Sequence, residues 1–220
     1  EGAIPPYKSE MREYIDYQRN QIQRSNILVE MGERSDTNKL KEKNPDVVIL
    51  ATGSRSASRD FPGIGRQNVF TASDILHHPE QCKERVVIIG GGLIGCETAE
   101  FLAQHEKKVT IIEMLKRIGS DMGPDTRWVV RKRLTNAGVV LEINTKAVRI
   151  EEDGVVAAKD DSRCVFPADT VIIAWGMESN NDLEEPVKKS FPEVCSIGDC
   201  TSPQSVLEAV EQGYFAALRV

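Results

Sequence analysis

The strongest constraint on this chain is a glycine turn near its middle, Ile88-Ile89-Gly90-Gly91-Gly92-Leu93-Ile94-Gly95-Cys96-Glu97. What flanks the glycines matters as much as the glycines themselves. Arg85 to Ile89 is a short apolar run of strand character. Leu93 to Gln104 contains no proline and no glycine after Gly95, and Ile94, Ala99, Phe101, Leu102 and Ala103 suit a helix packed on a sheet. Val109 to Ile112 reads as a second strand, and Glu113 closes it at about the 20-residue spacing expected of a ribose-reading acid. Strand, G-x-G-x-x-G turn, helix, strand and acid together form the βαβ unit that binds dinucleotides. A glycine pattern alone would carry much less.

Each position has a physical task. Gly90 permits the tight turn from strand to helix, Gly92 lets the backbone approach a pyrophosphate, and Gly95 lets helix and strand pack closely. The pyrophosphate is expected on the unpaired amides at the positive end of the helix, so Gly91, Leu93 and Ile94 belong to the same candidate set. Glu113 is placed to accept hydrogen bonds from an adenosine ribose. Its charge would repel a 2′-phosphate, which favours NADH over NADPH.

Composition narrows the classes. A hydrophobic content of 40% and a charged content of 28% are those of an ordinary globular protein. A net charge of −6 argues against nucleic acid or an anionic membrane as partner. No apolar run approaches the roughly 18–20 residues needed to span a bilayer. The start Glu-Gly-Ala-Ile-Pro-Pro does not read as a signal peptide, so a cytoplasmic location is expected. The five cysteines, Cys82, Cys96, Cys164, Cys195 and Cys200, include no C-x-x-C pair, so neither a zinc site nor a disulfide framework is indicated. His77-His78 falls in a polar loop and His105 at a helix end, so metal ligation by the histidines is not expected. No metal site and no catalytic side chain are nominated.

The remaining pattern predicts an α/β chain. Tyr7 to Asn26 has helical spacing on the face Tyr7, Met11, Tyr14, Ile15, Gln18 and Ile22, which is expected to pack. Ile27 to Met31 reads as a strand, and the polar stretch Arg34 to Lys43 shows no strong periodicity. Asp46 to Ala51 is a buried strand broken by Thr52-Gly53-Ser54, and Arg55 to Gln67 a loop. Asn68 to Phe70 is a short strand, followed by a helix start at Thr71. A basic helix from Asp125 to Ala137 ends at Gly138, a good capping residue. Short strands at 147–151, 155–159 and 164–166 form a meander, and Asp169 to Ala174 is another buried strand leading to Gly176. A last helix is expected from Ser202 onward. Val47 to Gly53 and Thr170 to Gly176 echo one another, both ending in Ala-x-Gly. Two nucleotide-binding units follow: a Rossmann-like unit over residues 66–177, inserted into a partial one over 1–65 and 178–220.

On these residues the chain resembles the carboxy-terminal region of the NADH:flavin oxidoreductases, the group of 2,4-dienoyl-CoA reductase, 2-enoate reductase and trimethylamine dehydrogenase. Asn44 to Ser54 is similar to their first Ala-Thr-Gly strand end, Val87 to Met114 to their nicotinamide-nucleotide fingerprint, Ile172 to Met177 to the second strand end, and Ser196 to Cys200 to the flavin-binding Gly-Asp motif. The resemblance spans essentially the whole chain. It implies that Asp199, with Gly198, holds the ribityl or pyrophosphate end of FAD, and that Thr52 and Gly53 let backbone pass close to the flavin nucleotide. It implies NADH at Gly90, Gly92, Gly95 and Glu113, with Gly176 at the second strand end and Glu97 near the nicotinamide.

Several departures qualify the likeness. Family members open the flavin half with their own strand, glycine turn and acid ahead of the helix corresponding to Tyr7–Asn26, and they carry a flavin-mononucleotide barrel with a cysteine cluster for a 4Fe-4S centre. None of these is in this sequence, so the expectation is the NADH unit and part of an FAD unit from a longer enzyme, with FMN and the iron–sulfur barrel domain outside the chain. Trp175 is bulkier than the family usually has there, which would narrow a nearby cleft. Arg55 to Asp60 replaces a Pro-containing loop. The implied function is hydride transfer from NADH to FAD for onward reduction of an enoate- or enoyl-type substrate. Two rivals are a two-domain FAD reductase serving a separate acceptor, and a structural ADP-binding module.

Overall fold

The computed structural model describes residues 2–160 and 162–220. In chain order it begins with α1 (Ser9–Arg24), α2 (Thr37–Lys43), β1 (Val48–Leu50) and β2 (Ser54–Ser56). Next come β3 (Val69–Thr71), α3 (Ala72–His77), β4 (Arg85–Ile89), α4 (Leu93–Gln104), β5 (Lys108–Ile112), α5 (Pro124–Asn136) and β6 (Val140–Glu142). The meander strands are β7 (Thr145–Glu151), β8 (Gly154–Lys159) and β9 (Ser162–Pro167), followed by β10 (Thr170–Ile173). The chain closes with β11 (Met177–Ser179), α6 (Glu184–Lys188), β12 (Val194–Ser196) and α7 (Val206–Ala217).

These elements form two compact units, Glu1–Ser25 with Ser58–Gly176, and Asn26–Ala57 with Met177–Val220. The sequence boundaries at 65/66 and 177/178 differ from this mainly at the front. There, Phe61 and Ile64 pack on the core of the first unit, and Lys8 pairs with Glu97 of α4.

The first unit is built on a five-stranded parallel sheet in the order β3-β10-β4-β5-β6. Its strands are apolar almost throughout because both faces are covered. On one face Val86, Ile88, Val109, Ile111 and Ile172 pack against Ala99 and Leu102 of α4 and Leu134 of α5. On the other, Val87, Ile89, Ile112, Val171 and Ile173 meet Val155 and Ala157 of the antiparallel β7-β8-β9 sheet. Gly138, at φ +77°, ends α5 as expected. β5 and β6 extend the sheet to one side of β4, while β10 and β3 lie on the other. The reversal of strand order beside β4 is where such sheets open a ligand crevice at their carboxyl ends.

The second unit pairs β1 with β12 in parallel and β2 with β11 antiparallel. Val48, Leu50 and Val187 form its small core with Leu40, Leu183 and Phe191.

Several expectations are corrected. Ile27 to Met31 is not a strand: it is exposed and joins no strand ladder among the described residues, and a strand exists only through its ladder. α2 arises in the stretch without clear periodicity because Asp36 caps it, accepting from Lys39 N at 2.9 Å, and Leu40 anchors it. The apolar face of α1 is not packed, since no residue of that helix is buried. Part of the Arg55–Gln67 loop is strand β2. α7 starts at Val206, four residues late, because Ser205 and Glu208 form its capping box. Among the described residues no helix is long and apolar enough to cross a membrane.

Leu102 is fully buried between α4 and the sheet. Leu102→Ala is expected to cost about 2–5 kcal/mol of stability. Urea unfolding followed by the fluorescence of Trp128 and Trp175, both in the first unit, checks this.

Candidate active site

The site grows out of the join between β4 and α4. Gly90 has φ +114°, and a Cβ there would run into the carbonyl oxygen of Ala174 on the neighbouring strand end. A Cβ at Gly95 would collide with the Gly90 carbonyl oxygen and lie 3.3 Å from the Ala174 side chain. Both glycines are therefore demanded by backbone contact, and the helix starts directly against the sheet. Behind the turn the buried Cys96 thiol donates to Gly91 O at 3.5 Å. Burial pushes that thiol up to about 12, so it is a packing group and not a nucleophile.

Glu113 ends β5 with only 8% of its surface exposed. Its Oε2 accepts from Gly91 N at 2.7 Å and its Oε1 from Leu115 N at 2.7 Å. The carboxylate thus clasps the glycine turn to the β5 end while facing the adjoining cavity. That cavity, about 410 Å³, is lined by Gly90, Gly92, Leu93, Ile94, Glu113 and Gly176 among others. Its volume is in the range of small-molecule sites. Phe61 and Trp175, ring centroids 5.3 Å apart in an edge arrangement, also line it, so the bulk of Trp175 does bear on this cleft.

Gly91 and Gly95 sit behind this surface. Glu97, one turn further along α4, does not line the cavity. It pairs with Lys8 at 2.6 Å and its side chain is 17% exposed. Nearby, Glu100 is buried and held by Arg133 at 2.6 Å; burial pushes its carboxyl upward, against the pull of that guanidinium. The other candidates come together in the second unit. Ser54, beside Thr52 and Gly53, donates to Asp199 Oδ2 at 3.0 Å, and Asp199 Oδ1 accepts from Gln204 N at 3.2 Å. Gly53 and Gly198 have φ +72° and +69°.

One residue at the fingerprint is not evident from the sequence. Asp121 reaches back to Leu93 N, with its oxygens at 3.0 and 3.1 Å. The available signal was only a charged residue in a stretch flanked by Gly119 and Gly123. Among the described residues no group of three or more His, Cys, Asp or Glu is placed to hold a metal ion.

A parallel sheet with this turn, this helix and this acid defines a Rossmann-like FAD/NAD-binding domain. The chain belongs to the pyridine nucleotide-disulphide oxidoreductase family, which it matches over residues 7–213. It is 32% identical to a bilirubin reductase of Mediterraneibacter gnavus over 98% of this chain and 34% of that protein. It is also 32% identical to an NADH oxidase of Thermoanaerobacter brockii, over 100% of this chain and 35% of that protein. A solved complex of 2-naphthoyl-CoA reductase with 2-naphthoyl-CoA superimposes with a TM-score of 0.93 at 30% identity, covering 97% of this chain and 33% of that one. The chain thus spans about a third of the length of these relatives. These matches are consistent with this chain corresponding to the carboxy-terminal region of the oxidoreductases that its sequence resembles.

Gly95→Ala is expected to cost about 1–3 kcal/mol by forcing α4 off β4. Gly65→Ala, where a Cβ meets nothing within 4 Å, should change little. Thermal unfolding of the two variants side by side tests the contrast.

Proposed function

We propose that the first unit binds NADH at Gly90–Gly95, and that in the complete enzyme its reducing equivalents pass to FAD for reduction of an enoate- or enoyl-type substrate. The observation that carries the reading is the clasp: a buried carboxylate at the end of β5, fixed on Gly91 N and bordering the same cavity as Gly92 and Leu93. NADH, when bound, supplies a hydride, two electrons with one proton. The chain's own residues bind and orient it. Gly92 lets the pyrophosphate approach, the α4 amides and the positive end of the helix favour its charge, and Glu113 accepts from the adenosine ribose. Phe61 and Trp175 wall one side and exclude water. Gly176, which lines the cavity, is assigned to the nicotinamide end, whereas Glu97, paired with Lys8 and outside the cavity lining, is not.

FAD is assigned to Thr52, Gly53, Gly198 and Asp199, with the rest of its site on another part of the polypeptide. Two features of the second unit support this. Among the described residues its β1–β12 sheet has two parallel strands, which leaves edges open to further pairing. Ile49 of that sheet and Leu28 and Met31 near it in sequence are exposed. The greater length of the relatives agrees with a further FMN and iron–sulfur domain as partner, and their names, a bilirubin reductase and a 2-naphthoyl-CoA reductase, support reduction of an organic acceptor.

Calorimetric titration tests the core of this. NADH should bind at least tenfold tighter than NADPH, and Glu113→Arg should erase that preference. Glu113→Gln, which keeps an acceptor oxygen for the turn, should narrow it. An unchanged preference in both variants would show that the acid does not read the ribose. ADP binding as tightly as NADH would favour a structural nucleotide site.

A further inference from the structure

The geometry points to a built-in competitor for the pyrophosphate of the dinucleotide, the carboxylate of Asp121. This inference rests on reading the glycine turn as an NADH site and adds a control on that site. α4 has Gly92 at its N-cap and therefore no capping side chain of its own. Asp121 supplies one from 28 positions away, with both oxygens on the amide of Leu93, the first residue of the helix. The same carboxylate fills the space that the second fingerprint glycine opens, since a Cβ on Gly92 would lie 3.0 Å from Asp121 Oδ2. That is the approach path a pyrophosphate would use.

The carboxylate is presented by a loop packed across the turn. Gly119 N donates to Gly91 O at 2.6 Å, and Gly119 takes φ +61° to do so. Ile118 is buried with a methyl against Gly91, a Cβ on which would meet it at 2.9 Å. Met122, one residue past Asp121, is buried as well and donates its amide to Gly119 O at 3.0 Å.

A helix N-terminus stabilises a carboxylate for the same reason that it stabilises a phosphate. One amide cannot serve both, and two anions at van der Waals distance repel. Dinucleotide binding is therefore an exchange in which Asp121 gives up Leu93 N as the phosphate arrives. The exchange lowers affinity for every phosphate-bearing ligand and leaves ligands without phosphate untouched. It selects for occupants that also make the ribose contact at Glu113, and it keeps the helix end capped when the site is empty.

The test is calorimetric titration of the full chain and of Asp121→Ala and Asp121→Asn with NADH, ADP and adenosine. NADH and ADP should each bind Asp121→Ala about tenfold tighter than the unaltered chain, the scale of an anion at a helix terminus. Asp121→Asn should lie between, and adenosine should not change. Without ligand, Asp121→Ala should melt a few degrees lower through loss of the cap. NADH and ADP binding that is unchanged or weaker in both variants overturns the competitor, as does equal tightening of adenosine. Tighter ADP with no NADH binding to any of the three proteins would leave the competitor standing and overturn the NADH reading instead.

Discussion

Everything in the nucleotide unit depends on one close approach, the Cα of Gly95 against the carbonyl oxygen of Gly90. No residue with a side chain fits at Gly95 without moving α4 away from β4. Because the helix begins so near the strand, its first residues, Leu93 and Ile94, line the same cavity as Ile89, Ile112 and Ala174 at the carboxyl ends of β4, β5 and β10. The Glu113 carboxylate at the end of β5 can then reach Gly91 N at 2.7 Å. The sheet supplies the rigid support: β4 lies between β5 and β10, and its Val86, Val87, Ile88 and Ile89 are buried on both faces. Site and core are thus one construction, and loosening the helix would open both.

The part of this legible in the sequence was the part set by local rules. The glycine turn, the two strands around it and the helix announce themselves because each glycine's task is defined by neighbours a few residues away. Gly138 after α5 and the meander from β7 to β9 were readable for the same reason. What escaped depended on distant parts of the chain. Ile27 to Met31 has strand composition, yet a strand needs a ladder, and none forms among the described residues. The spacing of α1 is truly amphipathic, but periodicity cannot say whether a partner is present. α2 was hidden because its helix rests on the Asp36 cap and on Leu40 meeting the core of the second unit.

Asp121 shows the limit most clearly. In the sequence it is one charged residue between Gly119 and Gly123. Only the folding of that loop over Gly91 brings its carboxylate to the end of α4. Glu97 shows the reverse. Its place on α4 was foreseen, while its ion pair with Lys8, far away in sequence, could not be. Backbone requirements can be read along the chain, whereas side-chain partners across loops have to be seen.

The proposed binding mode puts the pyrophosphate of the dinucleotide on the glycine turn and its ribose at Glu113. Backbone amide resonances of the chain, followed during titration with NADH, address it residue by residue. NADH should produce its largest shifts at Gly91, Gly92, Leu93 and Glu113. If those amides stay in place while shifts gather at Val48–Ser56 and Val194–Gln204, the nucleotide binds elsewhere and the account is wrong.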